Sequence, residues 1–469
     1  MTPMKPRPTL FSLCILLAAC GSPLEKPTSS IAPPAAWQGP DDDGAVTVSA
    51  HWWRSFGSAE LSGLIEQARL ANQDLAAALA RVRQAEASAR IAGAALLPSL
   101  NANLDANRET LMSGDGYSGI DASSEEKRFD SFSAVLNASY EVDFWGASAA
   151  GRDAALQRLR ASEADRATLE LTISAGVAST YIQALALRQQ LLIARQNLAN
   201  AEQVLELVQS RHSAGAATQL ELAQQRSLVA AQKRQLPLLA QQQREAEIVL
   251  AVLLGQPAQD LKLTGRLEEL ANPGIDAGLP SDLLTRRPDI ASAEAQLVAA
   301  DGDLKVARAA MLPKLTLTAS LGSGADRFHD AMRNPYYNLA AGIAAPIFSG
   351  GRLTAERDRA RARQEELLGS YNTAILNALA DVEKALSSAD GLDRQRRWQG
   401  EAVEHARIAF ELAETRYEAG AETLLNVLET QRTLFQAQDQ QVQLQLARLQ
   451  ASVSLYRALG GGWRPQQPL

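Results

Sequence analysis

Two long helical tracts, from about 147 to 211 and from about 351 to 416, constrain this chain more than any other feature. At 1.5 Å per residue, sixty-odd residues span on the order of 100 Å. No single globular core accommodates that length, so the tracts are expected to pair as antiparallel coiled coils. Each is followed by a glycine turn and a returning helix, about 218–254 and about 423–459. Leu185, Leu192 and Leu198–Ala199 in the first tract, and Ala409, Leu412 and Ala413 in the second, supply a narrow alanine-rich seam. Aromatic residues are only 5% of the chain, low for a core packed around large rings, whereas Ala, Leu and Gln are overused, which favours long helices with thin interfaces.

The chain also repeats itself. Asn72-Gln73-Asp74-Leu75 matches Arg287-Pro288-Asp289-Ile290, and Ala94-Ala95-Leu96-Leu97-Pro98 matches Ala309-Ala310-Met311-Leu312-Pro313. Val142-Asp143-Phe144-Trp145-Gly146 matches Pro346-Ile347-Phe348-Ser349-Gly350. Arg211 to Leu220 matches Arg416 to Leu425. The offset falls from about 215 to about 205 along the chain, so the first half carries the longer loop, between Pro98 and Phe144. Each half opens with a helical stretch, about 58–95 and about 281–311, which a Leu-Pro pair stops.

Alternating runs follow in each half. Leu100, Ala102, Leu104 and Ala106 alternate with Asn and Asp, and Phe132 to Phe144 alternates over a longer stretch. Leu315, Leu317, Ala319 and Leu321 alternate with Thr and Ser, and Leu339, Ala341, Ile343 and Ala345 form a weaker run. Period two marks strands with one apolar and one polar face. An ordinary soluble helical bundle does not account for four such strands. Four strands cannot close a barrel, and an open edge cannot face lipid. Membrane barrels need about eight strands or more, so three copies supplying about twelve form the expected closed unit, a homotrimer. In that register Leu136 and Val142 face lipid, and Asn137 and Asp143 face the lumen.

The N-terminus is an address. Lys5 and Arg7 precede an apolar run from Leu10 to Ala19, which at about ten residues is too short to span a bilayer. It ends in Leu17-Ala18-Ala19-Cys20-Gly21, which resembles a bacterial lipobox, with Cys20 as the acylated residue. Several acyl chains anchor stably where one does not. Gly21, where an aspartate would favour the inner membrane, leans towards the outer one. The expected organisation is a signal peptide (1–19), a lipidated tether (20–50), a first repeat (51–254), a connector (255–280), a second repeat (281–460) and a tail (461–469).

Chemistry is mostly absent. The two cysteines, Cys14 and Cys20, leave no disulfide or cysteine metal site in the body of the chain. The four histidines, His51, His212, His329 and His405, stand at no ligand spacing. No catalytic or phosphate-binding motif appears, so neither an enzyme nor a cofactor is expected. A formal charge of −7 argues against nucleic acid as a partner. Leu425, Glu429 and Arg432 stand at i, i+4 and i+7, on one helical stripe.

Trp52-Trp53-Arg54-Ser55-Phe56, Tyr140-Glu141-Val142-Asp143-Phe144-Trp145-Gly146, the run from Gly278 through Arg286-Arg287-Pro288-Asp289-Ile290, and Leu459-Gly460-Gly461-Gly462-Trp463 resemble signatures of the outer-membrane factor family. These are the TolC-like exit ducts of tripartite efflux pumps, and the lipobox resembles their OprM/NodT branch. The resemblance spans essentially the whole mature chain. It implies an α plus membrane β-barrel fold: long antiparallel coiled-coil helices forming a periplasmic α-barrel, and four strands per chain in a trimeric twelve-stranded β-barrel. It implies a periplasmic adaptor and an inner-membrane transporter as partners, the outer membrane as location, and multidrug export as the default cargo. It further implies that Leu425, Glu429 and Arg432 line a closed periplasmic tip, and that the turns at Gly215 and Gly420 meet the adaptor. Phe144, Trp145 and Tyr140 look like an aromatic girdle. The matching first-half residues Leu220, Gln224 and Ser227 carry no charge, so the two hairpins are expected to be inequivalent. The rival reading is a structural periplasmic coiled-coil lipoprotein or adaptor without channel activity.

Overall fold

The computed structural model describes residues 29–38, 48–110, 112, 116–117, 120–121 and 128–465. Cys20 and the rest of the proposed leader lie outside the described residues. The first half runs α1 (Ala59–Ala71), α2 (Gln73–Ala94), β1 (Ser99–Thr110), β2 (Arg128–Val142), α3 (Ala147–Ser213) and α4 (Gln219–Leu253). After a connector come α5 (Pro288–Ala309), β3 (Lys314–Ala325), β4 (Pro335–Ala344), α6 (Arg352–Glu418) and α7 (Leu424–Ala458). A short helical turn, Leu283–Arg286, precedes α5, as α1 precedes α2.

The opening helical stretch of each half is broken once, for different local reasons. Asn72 leaves the helix with an extended backbone, and its side chain accepts from the N–H groups of Asp74 (2.9 Å) and Leu75 (3.2 Å), capping α2. Arg287 precedes Pro288, which excludes the α region for the residue before it. The two breaks then do the same job. Asn72 Nδ2 donates to the Leu253 carbonyl at 2.9 Å, and Arg287 donates to the Ala458 carbonyl at 3.1 Å. Each ties the start of a short helix to the end of a returning helix. Arg287 also pairs with Asp289 (2.7 Å) and with Asp381 on α6 (3.3 Å), so the buried guanidinium is compensated. Burial pushes its pKa down, but the two carboxylates more than offset this, and the net shift is upward.

Each 67-residue helix is too long for its 35-residue return to cover. The short helices supply the rest. α3 packs against α2 and α5 along its barrel-proximal part and against α4 and α7 along its distal part. α6 packs likewise against α5 and then α7. The seam matches the expected one only in part. Leu187, Leu191, Ala194, Asn197, Ala201, Val204 and Val208 are the buried stripe of distal α3, and Ala406, Phe410, Ala413 and Tyr417 that of α6. Leu185 and Ala413 are buried as expected, whereas Leu192 and Leu412 face outward. Alanine on every face leaves the periodicity weak, so leucines occur both in the seam and outside it.

The main core sits between barrel and tips. Trp52 stacks on Tyr456 at 5.1 Å, Phe56 lies beside them, and Ser55 Oγ meets Tyr456 OH at 2.9 Å. Glu60 accepts from Tyr181 OH (2.7 Å) and from the backbone N–H groups of Thr264 and Gly265 (both 2.8 Å), pinning the connector to α1. Burial pushes the Glu60 carboxyl up, but these hydrogen bonds bring it below its ordinary value. Residues 29–38 are held on the body rather than free: Ser29 Oγ donates to Asn372 (2.7 Å), Trp37 Nε1 to the Gly278 carbonyl (2.8 Å), and Gln38 N to Glu383 (2.9 Å).

The four long strands form one antiparallel meander, β1-β2-β3-β4. Directly opposed residues share a face, so the register sorts them. Leu100–Ala138–Ala319–Leu339 and Ala102–Leu136–Leu321–Tyr337 are apolar rows. Asn101–Asn137–Ser320–Asn338 and Ser99–Ser139–Thr318–Ala340 lie on the other face. Among the described residues, β1 and β4 pair on one side only. Asp143 does not line the polar face. It lies past the end of β2, and its carboxylate accepts from Ser148 N (3.0 Å) and Ala149 N (2.8 Å) at the start of α3. Gly146 at the N-cap has no side chain to do this, so the acid three residues earlier satisfies those N–H groups.

Candidate functional site

The site is a path with two ends: the sheet and the helical tips farthest from it. At the tips, Gly215 and Gly420 adopt left-handed backbones (φ +78° and +74°). The bonds around them are the same in both hairpins. Gly215 N donates to His212 O (3.0 Å) and Ala216 N to Arg211 O (2.7 Å); Gly420 N donates to Tyr417 O (3.0 Å) and Ala421 N to Arg416 O (2.8 Å). These are Schellman closures, which favour glycine at that position. The caps that follow differ. Thr218 and Glu221 form a reciprocal capping box, whereas after the second turn Glu422 accepts from Thr423 N (3.0 Å) and from Asn426 (2.7 Å). Those bonds, foremost the one from Thr423 N, lower the Glu422 pKa.

Arg211 joins the two hairpins. Its guanidinium donates to the Tyr417 carbonyl and lies 4.6 Å from the centre of the Tyr417 ring. The repeat pattern marked Arg211 and Arg416 as equivalent but assigned neither a partner.

Leu425, Glu429 and Arg432 do share one exposed face of α7. Leu425 is 64% exposed, and Glu429 pairs with Arg432 of its own helix at 3.6 Å with both side chains mostly in solvent. An exposed pair of this kind contributes well under about 1 kcal/mol. The opposite face, Leu424, Val427, Leu428, Gln431, Leu434 and Phe435, is buried. The two hairpins align without a gap: both returning helices are 35 residues long, and Leu222 and Val229 of α4 occupy the buried positions of Val427 and Leu434. Gln224 and Ser227 therefore stand where Glu429 and Arg432 do, so the first hairpin carries no equivalent charge on this stripe.

Beneath the stripe lie two buried amides. Gln225 Nε2 donates to the Ala201 carbonyl at 2.8 Å. Gln431 is fully buried, and neither of its amide atoms, nor the Tyr417 hydroxyl, has a partner among the described residues. An unsatisfied buried polar group costs about 1–3 kcal/mol, which weakens the core of the second tip.

At the other end, β2 rises ~25 Å across a bilayer from Val142 to Phe132, taking ~3.4 Å per residue and a tilt of about 40°. That matches the hydrocarbon-facing band of an outer-membrane barrel. Leu104, Leu339 and Ile343 on the apolar face are more than 70% exposed in the single chain, which suits contact with lipid. At the helix-proximal rim Phe144 and Trp145 meet edge to face at 4.8 Å, and Trp145 Nε1 donates to the Pro313 carbonyl at 2.7 Å. In the second half Phe348, the equivalent of Phe144, and Ile347 before it are almost fully exposed. At the far rim Phe132 meets Phe328 at 5.7 Å. Among the described residues no helix is long and apolar enough to cross a membrane, and no cluster of His, Cys, Asp and Glu is placed to hold a metal ion.

A family model described as outer membrane efflux protein matches residues 64–256 and 279–461. The chain is 59% identical over 461 residues to the pyoverdine export outer membrane protein OpmQ of Pseudomonas aeruginosa, covering 97% of each. It is 30% identical to the cation efflux system protein CusC of Escherichia coli, covering 99% of this chain and 100% of that one. Among solved structures it is similar to the MtrE outer membrane channel of Neisseria gonorrhoeae (TM-score 0.84, 27% identity, 96% and 99% of the two chains). It is also similar to VceC of Vibrio cholerae (TM-score 0.82, 28% identity, 88% and 99%). With an apolar-faced sheet, a polar inner row and hairpins of this length, the chain belongs to the outer membrane efflux protein family and is an outer-membrane efflux channel.

Proposed function

We propose that three copies of this chain close one barrel of about twelve strands and one helical conduit beneath it. Cargo handed over by an inner-membrane transporter through a periplasmic adaptor would leave by this path. The observation that carries the reading is the sheet, with a continuous apolar face and two unpaired edges. In lipid an unpaired edge leaves a row of N–H and C=O groups unsatisfied, so β1 of one copy must meet β4 of the next. The outward Leu192 and Leu412 give neighbouring helices apolar surface to cover. Acyl chains on Cys20 would add a second hold on the membrane, and the turns at Gly215 and Gly420 would meet the adaptor.

The cargo reading rests on relatives. Two relatives, 59% and 56% identical, are named as pyoverdine export proteins, which supports pyoverdine-type export over the multidrug default. In a pyoverdine-producing host lacking its own duct, this chain should restore pyoverdine to the medium. Pyoverdine that stays in the periplasm although the protein reaches the outer membrane contradicts the cargo but not the duct.

The same proposal makes the exposed stripe of α7 a gate. Three Leu425 around an axis form an apolar constriction. Three Glu429 repel one another unless Arg432 lies close enough to offset them. The unpartnered Gln431 makes the second hairpin the one that moves. In planar bilayers the wild type should conduct weakly. Leu425→Ala with Arg432→Ala should conduct severalfold more. No conductance in either form favours the scaffold reading; wild-type conductance in the double variant leaves the stripe a solvated helix face.

A further inference from the structure

The outward rows of the sheet do not end in neutral residues at the rim away from the helices. One step beyond Ala106–Phe132 stand Arg108 opposite Asp130, and Thr110 opposite Arg128. These positions have the same parity as Leu104 and Leu136, so they lie on the lipid-facing side. Asp130 holds both arginines. Arg108 donates from Nε to Oδ1 (2.7 Å) and from a terminal nitrogen to Oδ2 (3.0 Å), and Arg128 reaches Oδ2 at 3.0 Å. One carboxylate is thus shared by two guanidiniums, each more than half exposed. A guanidinium carries five N–H donors; among the described residues Asp130 takes three of the pair's, and the three side chains together keep one net positive charge.

The neighbourhood is that of a membrane interface. Phe328, 80% exposed, meets Phe132 edge to face on the same side. Arg327 beside it is exposed and has no ion-pair partner among the described residues. Arg333 is paired with Asp330 at 2.9 Å, and Asp326 is the further acid of that turn. The band below this rim is ~25 Å tall, which puts Arg108 and Arg128 at the headgroup level of the outer leaflet. That leaflet of a bacterial outer membrane is built from phosphorylated glycolipid.

We infer that Arg108 and Arg128, held side by side by Asp130, bind the phosphate of a lipid A headgroup whose acyl chains lie on the Leu104–Leu136–Phe132 surface below. Phosphate takes N–H donors from arginine readily, and Asp130 holds the two guanidiniums beside each other. Continuity with the apolar rows selects a lipid over free phosphate, because the ligand's tails occupy the surface directly beneath. The inference rests on the outer-membrane reading of the sheet.

The test uses purified full-length protein and native mass spectrometry. The probes are bis-phosphorylated lipid A, the same lipid dephosphorylated, and inorganic phosphate. Wild type should retain bis-phosphorylated lipid A and bind the other two far more weakly. Arg108→Gln with Arg128→Gln should weaken its binding about tenfold, and Lys314→Gln at the opposite rim should not. Arg128→Gln alone keeps the Arg108–Asp130 pair and should show an intermediate loss even if the double variant does not assemble. Equal retention of phosphorylated and dephosphorylated lipid A, or undiminished binding in Arg128→Gln and in the double variant, overturns the site. Wild type that does not insert into bilayers overturns the membrane reading beneath it.

Discussion

Leu136→Arg is expected to abolish recovery of assembled trimer, and Asn137→Arg to leave it close to wild type. The two positions are neighbours in β2 and differ only in the face they present. Leu136 lies in the apolar row between Ala102 and Leu321, between the Phe132 and Val142 rims and so near the bilayer midplane. An arginine on the lipid face at that depth costs about 2–4 kcal/mol, and a barrel of three chains incurs it three times. The total is comparable with the whole stability of many proteins, about 5–15 kcal/mol. Asn137 lies in the row Asn101–Asn137–Ser320–Asn338, where water and polar neighbours solvate a cation. Trimer that resists detergent without heating, scored by gel mobility, separates the outcomes. Equal recovery of both variants would mean that the register, or the side facing lipid, is other than described.

Gly460→Ala is expected to be as damaging, though it lies far from membrane and tip. Its backbone is left-handed (φ +82°), and a Cβ there would stand 2.1 Å from the Arg286 carbonyl oxygen and 2.9 Å from its carbonyl carbon. The conformational strain alone costs about 1–2 kcal/mol. The contact is with backbone, which cannot rotate away, so relief requires moving the Arg286–Arg287 segment. Arg287 is the residue that binds Asp289, Asp381 and the end of α7, and breaking a buried charge network costs about 3–5 kcal/mol. Gly255→Ala repeats the experiment in the first half, with φ +68° and a Cβ 2.3 Å from the Ala71 carbonyl oxygen. Gly391→Ala, inside α6 with nothing within 4 Å, is the control and should be neutral or stabilising by up to about 1 kcal/mol. Melting of the purified trimer gives the readout. A Gly460→Ala protein that melts with wild type would show that the junction yields without loss.

Much of this architecture is legible in the residues. Period-two alternation survives from sequence to sheet because lipid on one side and water on the other impose the same choice at every row. The ends of α3 and α6 are legible because an Arg-x-x-x-Gly pattern closes both turns by purely local bonds. The Leu425–Glu429–Arg432 stripe is legible as a face, since helical spacing alone puts those residues together.

What only the tertiary structure decided has a common cause: partners far apart in sequence. The seam of α3 and α6 is only partly legible in a tract where alanine occupies every face: Leu185 and Ala413 are in it, Leu192 and Leu412 are not, and packing on α4, α5 and α7 makes the selection. Asp143 reads as the next polar residue of an alternating strand, but the helix that begins at Ala147 turns its free N–H groups towards it. Asn72 and Arg287 share no chemistry, yet both hold the end of a returning helix, because the fold places a carbonyl 181 or 171 residues away beside each. Local bonds and solvent contrast are written in the sequence. Which face of an alanine-rich helix is buried, and which carbonyl a distant side chain meets, depends on the surfaces the fold brings against it.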